Sequence, residues 1–224
     1  FMAVRLSLAE PLAYGLALAA IWMQRQGRPW LMAGALALAA LAKETTLLFA
    51  AGYGLWMLLG RRWSDALRLG VVVGVPFIAW QLVLYGQFGQ MGLGSGGAMA
   101  TPFELIPYNG LWRIYTDTGN VRVFVVLGTL LVPGAVLPSL WALWRSGQDI
   151  ARRRWHPYVL LLFVNAAIIP FVPFSTFREP LGMLRFMVGL VIAVVLYAAQ
   201  RQDVRSLRYS ALWVISLLLV LGSG

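Results

Sequence analysis

The chain has no cysteine, one histidine, one lysine and only eight acidic residues among its 224 positions. Without cysteine there is no disulfide and no thiolate metal site. The lone histidine, His156, is a poor metal candidate, and no Ser-His-Asp or Cys-His set can be assembled around it. Charge of any kind is scarce: 12% of the residues are charged, against about 25% in soluble domains. That scarcity, with 60% hydrophobic residues and a mean hydropathy of +0.76, excludes an ordinary soluble domain.

Apolar runs of helical length are what the sequence does have. They are rich in Leu, Ala, Val and Gly and do not alternate, so they predict an all-α polytopic membrane protein and not a barrel. Ten tryptophans and eight tyrosines suit the two interfacial belts. The net charge of +10 does not point to nucleic acid, because the arginines sit in short clusters between apolar spans. Membrane lipids are the expected surroundings.

The chain is organised around Ala40-Leu41-Ala42-Lys43-Glu44-Thr45-Thr46, which places the only lysine beside a glutamate. This pair interrupts an apolar run of 32 residues, Pro29 to Gly60. One helix of that length would reach about 48 Å, too long for a hydrocarbon core of about 30 Å. Two helices of about 22–24 Å meeting at Lys43-Glu44 fit better and set the charged pair at one membrane face.

About eight crossings are expected, near 8–24, 29–43, 45–60, 66–85, 121–144, 155–173, 180–199 and 206–222. Alternating the sides gives one face Arg25, Arg28, Arg61, Arg62, Arg68, Arg145, Arg152, Arg153, Arg154, Arg201, Arg205 and Arg208. The other receives Arg5, Lys43, Arg113, Arg122, Arg178 and Arg185. Twelve against six assigns the first face to the cytoplasm. All four glutamates, Glu10, Glu44, Glu104 and Glu179, fall on the outer side with Asp117. Function is therefore expected to face outward.

Local signals refine the reading. Ser7 with Glu10 fits a capping box, Pro29 suits a first helical turn, and Ser64-Asp65 can cap the fourth span. The glycine-rich stretch Gly92 to Gly97 lacks the flanking strand and Gly-Lys-Ser/Thr of a phosphate loop, so a flexible outer loop is expected. Thr101-Pro102-Phe103-Glu104 resembles a second capping box opening a short amphipathic segment with Tyr108, Trp112 and Tyr115 in the outer interface. Glu179 before Pro180 can cap another helix. Arg185, about 7 Å along that helix, calls for an anionic partner, either Glu179 or Glu44 or a lipid phosphate.

LAKETTLLF after a short helix beginning RPW, an upstream EPLAYGLALAA, and FREPLGMLRFMVGL near the end together resemble bacterial multi-spanning glycosyltransferases of the GT-C fold. The resemblance is greatest to the family associated with cell-surface glycopolymer formation, related to polyprenyl-phosphate-mannose-dependent enzymes. It implies inverting transfer of a sugar from a polyprenyl-phosphate donor to a glycan or lipid acceptor, outside a bacterial cytoplasmic membrane. A base deprotonates the acceptor while basic side chains hold the carrier phosphate. On this basis Lys43 and Arg185, with Arg178 beside them, are expected at the phosphate. Glu44 would orient Lys43 or bind acceptor hydroxyls, and Glu10 and Glu104 would lie on the acceptor side. No cofactor is implied, no metal ligands are assigned, and no catalytic base can be named.

In that family the base lies on a loop after the first helix, which is expected upstream of Phe1. Phe1 is not an initiator, no signal peptide is visible, and the chain stops at Gly222-Ser223-Gly224 directly after an apolar run. Residues 1–224 are thus expected to be a single transmembrane domain of a longer protein. Two other classes fit the same composition: a transporter or flippase of lipid-linked glycans, and a non-catalytic membrane subunit.

Overall fold

The computed structural model describes residues 9–92, 101–211 and 213, and these are mostly helical, with no strand among them. The chain divides into two compact units, Phe1–Ser95 and Gly96–Gly224. Among the described residues, three helices are long and apolar enough to cross a membrane: Trp63–Phe88, Val121–Ala151 and Gly182–Arg201. They fall on the expected crossings at 66–85, 121–144 and 180–199.

The first unit holds α1 (Ala9–Arg25), α2 (Pro29–Ala42), α3 (Leu47–Leu59) and α4 (Trp63–Phe88). Pro29 is at the first turn of α2, where its missing N–H costs nothing. The apolar run does divide at Lys43, whose extended backbone (φ −154°, ψ 119°) ends α2 before a 3-10 turn at Glu44–Thr46. The two halves, α2 and α3, have 14 and 13 residues, so each rises only about 20 Å. Ala13, Ala17 and Ala20 of α1 lie on one face at helical spacing, all without solvent exposure. Such small side chains let α1 and α2 approach closely. Helix α2 also packs on α3 and α4, and seven of its 14 residues are buried, so it is the centre of this unit.

Helix α4 is different. Only Leu69 and Val73 are buried in its 26 residues, and it exposes Leu67, Val71, Val75, Ile78 and Leu82. Large apolar side chains exposed along one long helix suit contact with lipid tails. It opens at Trp63, so Ser64 and Asp65 lie inside its first turn and do not precede it. Asp65 instead accepts from Arg62 Nε at 2.8 Å, and no side chain caps the helix. It closes at Phe88 because Gly89 takes a left-handed conformation (φ 67°) and donates to Tyr85 O.

The second unit contains α5 (Asn109–Thr118), α6 (Val121–Leu131), a π-turn (Val132–Val136), α7 (Leu137–Ala151), α8 (Pro157–Ala167), a 3-10 turn (Ile169–Phe171), α9 (Phe174–Arg178), α10 (Pro180–Arg201) and α11 (Val204–Ser210). Helices α6 and α7 form one rod through the π-turn, where Pro133 removes a backbone donor. Buried Trp213 donates its indole N–H to the Gly134 carbonyl at 2.8 Å in that same turn. Helix α8 is the centre here, with Tyr158 to Leu162 buried and contacts to both α7 and α10. Met183, Met187, Leu190, Val194 and Tyr197 make the matching buried face of α10.

Two expected helix starts differ. Thr101 and Glu104 cap no helix: residues 101–108 are irregular and run beside 170–175, with Glu104 N donating to Phe171 O (2.9 Å) and Tyr108 N to Pro170 O (2.6 Å). The amphipathic helix begins only at Asn109, after Tyr108 in a left-handed conformation (φ 58°). Glu179 holds the N-cap position of α10 but makes no capping bond. Ser7, most of the glycine-rich stretch and most of 206–222 lie outside the described residues.

Gly110 seats α5. A Cβ there would lie 2.7 Å from the Phe177 ring, 3.0 Å from Val172 O and 3.2 Å from Phe174 Cα. Two of these are backbone atoms that cannot swing aside. Gly110→Ala should therefore destabilise the protein by about 1–3 kcal/mol. Gly128→Ala meets nothing within 4 Å and should not lower stability. Thermal unfolding of both variants in detergent checks this; equal melting temperatures would reject the close approach of α5.

Candidate functional site

Two clusters of polar side chains stand out, one in each unit. In the first, Glu10 and Tyr14 lie one turn apart on α1 and reach the turn between α2 and α3. Lys43 Nζ donates to Glu10 Oε1 at 3.0 Å, with 22% and 14% of the two side chains exposed. Tyr14 Oη and Thr45 Oγ1 lie 3.1 Å apart, and the Tyr14 ring meets Phe49 edge-on. Thr46 is buried and its hydroxyl donates to Lys43 O at 2.8 Å, which fixes the extended residue. The ammonium also sits at the carbonyl end of α2, a favourable place for a cation. Glu44 is exposed and lies on the 3-10 turn, away from this pairing.

In the second unit, Glu104 accepts from Asn109 Nδ2 at 2.8 Å and from Arg113 Nη1 at 2.9 Å. Arg113 also grips Asp117 through Nε (3.1 Å) and Nη2 (2.8 Å). The spacing of 109, 113 and 117 is a helical one, so one face of α5 presents all three. Only 9% of the Glu104 side chain is exposed. Burial alone would push its carboxyl up, but the bonds from Asn109 and Arg113 and the Arg113 charge outweigh that and hold it below the ordinary carboxylate range. The Arg113 hydrogen bond likewise lowers Asp117, and Arg113 is raised in turn. Glu104 is thus an ionised acceptor of low basicity, suited to orienting donors.

The ring of Phe174 joins this cluster to Arg178. The Arg113 guanidinium lies 4.8 Å from its centroid and that of Arg178 lies 5.5 Å away. Two cations on one ring repel, but each is held by the ring quadrupole, and Arg113 is neutralised by two carboxylates. Arg178 is exposed and has no carboxylate within ion-pair distance among the described residues. Arg185 is exposed on the second turn of α10.

Of the residues singled out in the sequence, Lys43 meets Glu10, and Arg178 meets the Glu104 cluster through Phe174. Tyr14, Thr45, Asn109, Arg113, Asp117 and Phe174 were not anticipated. The spacing of Arg113 and Asp117 was a readable signal; the separation of 33 positions from Glu10 to Lys43 carries none. His156 caps α8, accepting from Tyr158 N through Nδ1 at 3.3 Å. Among the described residues no group of three or more His, Cys, Asp or Glu could hold a metal ion. The chain matches no family model, no curated protein and no solved structure.

Glu104 and Asp117 titrate lower folded than unfolded. Their contribution to stability is full above the ordinary carboxylate range near 4 and is lost as pH falls through the lowered values. Melting temperature should drop on acidification below about pH 4, and Glu104→Gln should flatten that drop. An unchanged profile in the variant would overturn the assignment. Lys43→Met should lower stability by about 1–3 kcal/mol, since it leaves a poorly solvated carboxylate without its ammonium. Adding Glu10→Met should restore part of it. Equal losses in the single and double variants would show that the pair carries no coupling.

Proposed function

We propose that the protein is a GT-C-like membrane glycosyltransferase of about eight spans, or a part of one, taking a sugar from a polyprenyl-phosphate carrier to a cell-surface glycan or lipid acceptor. The proposed location is the bacterial cytoplasmic membrane, with transfer on its outer face. The observation that carries the reading is Arg178 on Phe174. An exposed guanidinium, stacked beside an arginine already saturated by carboxylates, offers its planar fork to an oxyanion. The ordered motifs EPLAYGLALAA, LAKETTLLF and FREPLGMLRFMVGL add support.

In this reading Arg178 and Arg185 hold the carrier phosphate and stabilise charge on the departing group. Within the first unit, Lys43 bonds to Glu10, and the exposed Glu44 offers a carboxylate for an acceptor hydroxyl. Beyond its bonds from Asn109, Arg113 and the Phe174 backbone, a carboxylate such as Glu104 has acceptor capacity left for an acceptor hydroxyl. Its low basicity argues against a role as general base, so the base is sought elsewhere.

Two measurements test this. Purified protein in detergent should retain polyprenyl phosphate by native mass spectrometry, and Arg178→Ala should weaken retention about tenfold, the worth of one charge-assisted contact. No retention by the wild type, or equal retention by the variant, would reject the phosphate role. Proteoliposomes of the gene product, given labelled polyprenyl-phosphate sugar, should move label onto the acceptor, and Arg185→Ala and Glu44→Gln should each slow transfer. A second reading, a flippase, takes its support from the π-turn at Val132–Val136, an irregularity inside a membrane-length helix. It predicts that label crosses the bilayer while still attached to the carrier.

A further inference from the structure

Far along the second unit from the Glu104 cluster lies a cavity of about 610 Å3, lined by Trp141, Arg145, Arg201, Asp203, Arg205 and Ser206. That volume is within the range of small-ligand sites, roughly 300–1,000 Å3. It lies where the C-terminal end of α10 turns into α11 beside α7, at the arginine-rich ends assigned to the cytoplasm.

The three arginines are not equivalent. Arg201 is anchored: Nη2 lies 2.7 Å from Asp149 Oδ2, which also accepts from Tyr197 Oη at 2.9 Å. Asp149 is buried, and the Arg201 guanidinium lies 5.9 Å from the Tyr197 ring. Arg145 is only loosely held, 3.8 Å from Asp203, with 43% of its side chain exposed. Arg205 is exposed and has no carboxylate within ion-pair distance among the described residues. Asp203 is occupied by Ser206, whose hydroxyl donates to it at 2.8 Å and whose amide lies at 3.3 Å. A cavity lined by three guanidiniums and one committed carboxylate therefore keeps an excess of positive charge. Its donors are fork-shaped, and Trp141 supplies an apolar wall.

We propose that this cavity binds a phosphate ester, with Arg145 and Arg205 as its direct ligands and Arg201 as a fixed cation beside them. A guanidinium fork pairs with two oxygens of a carboxylate or a phosphate alike, but a phosphate ester has oxygens enough to meet two forks at once, where a carboxylate's two oxygens are taken up by one. The ester could be the headgroup of an anionic lipid in the adjoining leaflet or a soluble phosphate compound. The chemistry is the same, and the measurement separates the two.

The protein is reconstituted in phosphatidylcholine nanodiscs with or without 20% phosphatidylglycerol, and separately titrated with pyrophosphate; the percentage here is roughly that of a moderately anionic leaflet. Native mass spectrometry counts retained lipid, and thermal unfolding reports pyrophosphate. Arg205→Gln breaks no ion pair seen here, so it should fold, and it should reduce retention of the active ligand roughly five-fold. Arg145→Gln should act likewise. Arg208→Gln removes the same charge from α11 outside the cavity and should change little. Selective retention of phosphatidylglycerol assigns a lipid headgroup, and stabilisation by pyrophosphate assigns a soluble phosphate compound. Binding of neither overturns the proposal, as does an equal loss in Arg205→Gln and Arg208→Gln, which would mean diffuse surface attraction.

Discussion

An ammonium carried between two apolar helices has few places to put its charge. Lys43 resolves this by leaving the helix altogether: its backbone is extended, α2 stops at Ala42, and Nζ reaches Glu10 on α1. The arrangement of the first unit depends on that contact. Without the break, the run from Pro29 to Gly60 would continue as one helix, and α3 could not fold back beside α2. Tyr14 and Thr45 repeat the link one turn away, and Thr46 closes the turn on Lys43 O. The gain from one partly exposed pair is modest. Its role is to choose one geometry among several that apolar packing alone would accept.

The second unit solves a related problem with a different device. Residues 101–108 have no helix of their own, so their amides bond to carbonyls at 170–171. Gly110 then lets α5 settle on Val172, Phe174 and Phe177, and from that seat Arg113 reaches both Glu104 and the Phe174 ring. Close backbone approach comes first here and the charge network follows. The polar face of α5 can be saturated because its apolar face is seated, with Ile114 buried to zero exposure.

Much of the helical framework was legible because it rests on composition and local signals. The positions of α1 to α4, α8 and α10 follow from apolar runs interrupted by arginine clusters, and the break at Lys43 follows from helix length against membrane thickness. Helix starts were harder. Thr101 and Glu104 have the right spacing for a capping box, yet the chain is held extended there by 170–175, a contact no local pattern encodes. Ser64 and Asp65 mislead similarly, because Trp63 already begins the helix. The clusters were only half visible. Arg113 with Asp117, and Phe174 with Arg178, follow from helical spacing, whereas Glu10 with Lys43, and Arg113 with Glu104 and Phe174, depend on tertiary packing. Single residues stood out as unusual; their partners did not.

The electrostatics of the two ends of the second unit differ in a way that bears on function. Around Glu104, carboxylates outnumber the one arginine they hold, and an exposed cation, Arg178, is set apart on an aromatic ring. At the α10–α11 turn, cations outnumber carboxylates, and two of three arginines are loosely held or without an acidic partner among the described residues. A surface that only set topology would need arginines in any arrangement facing the cytoplasm. It would not need a buried aspartate, itself bonded by a tyrosine hydroxyl, to fix one of them in the wall of a cavity. Placing Asp149 there costs desolvation, and its bonds to Arg201 and Tyr197 offset that cost only if the geometry is held. A positive-inside bias would account for the sign of the charge at this end of the protein. The cavity and its buried anchor need a further cause, and a bound phosphate would supply one.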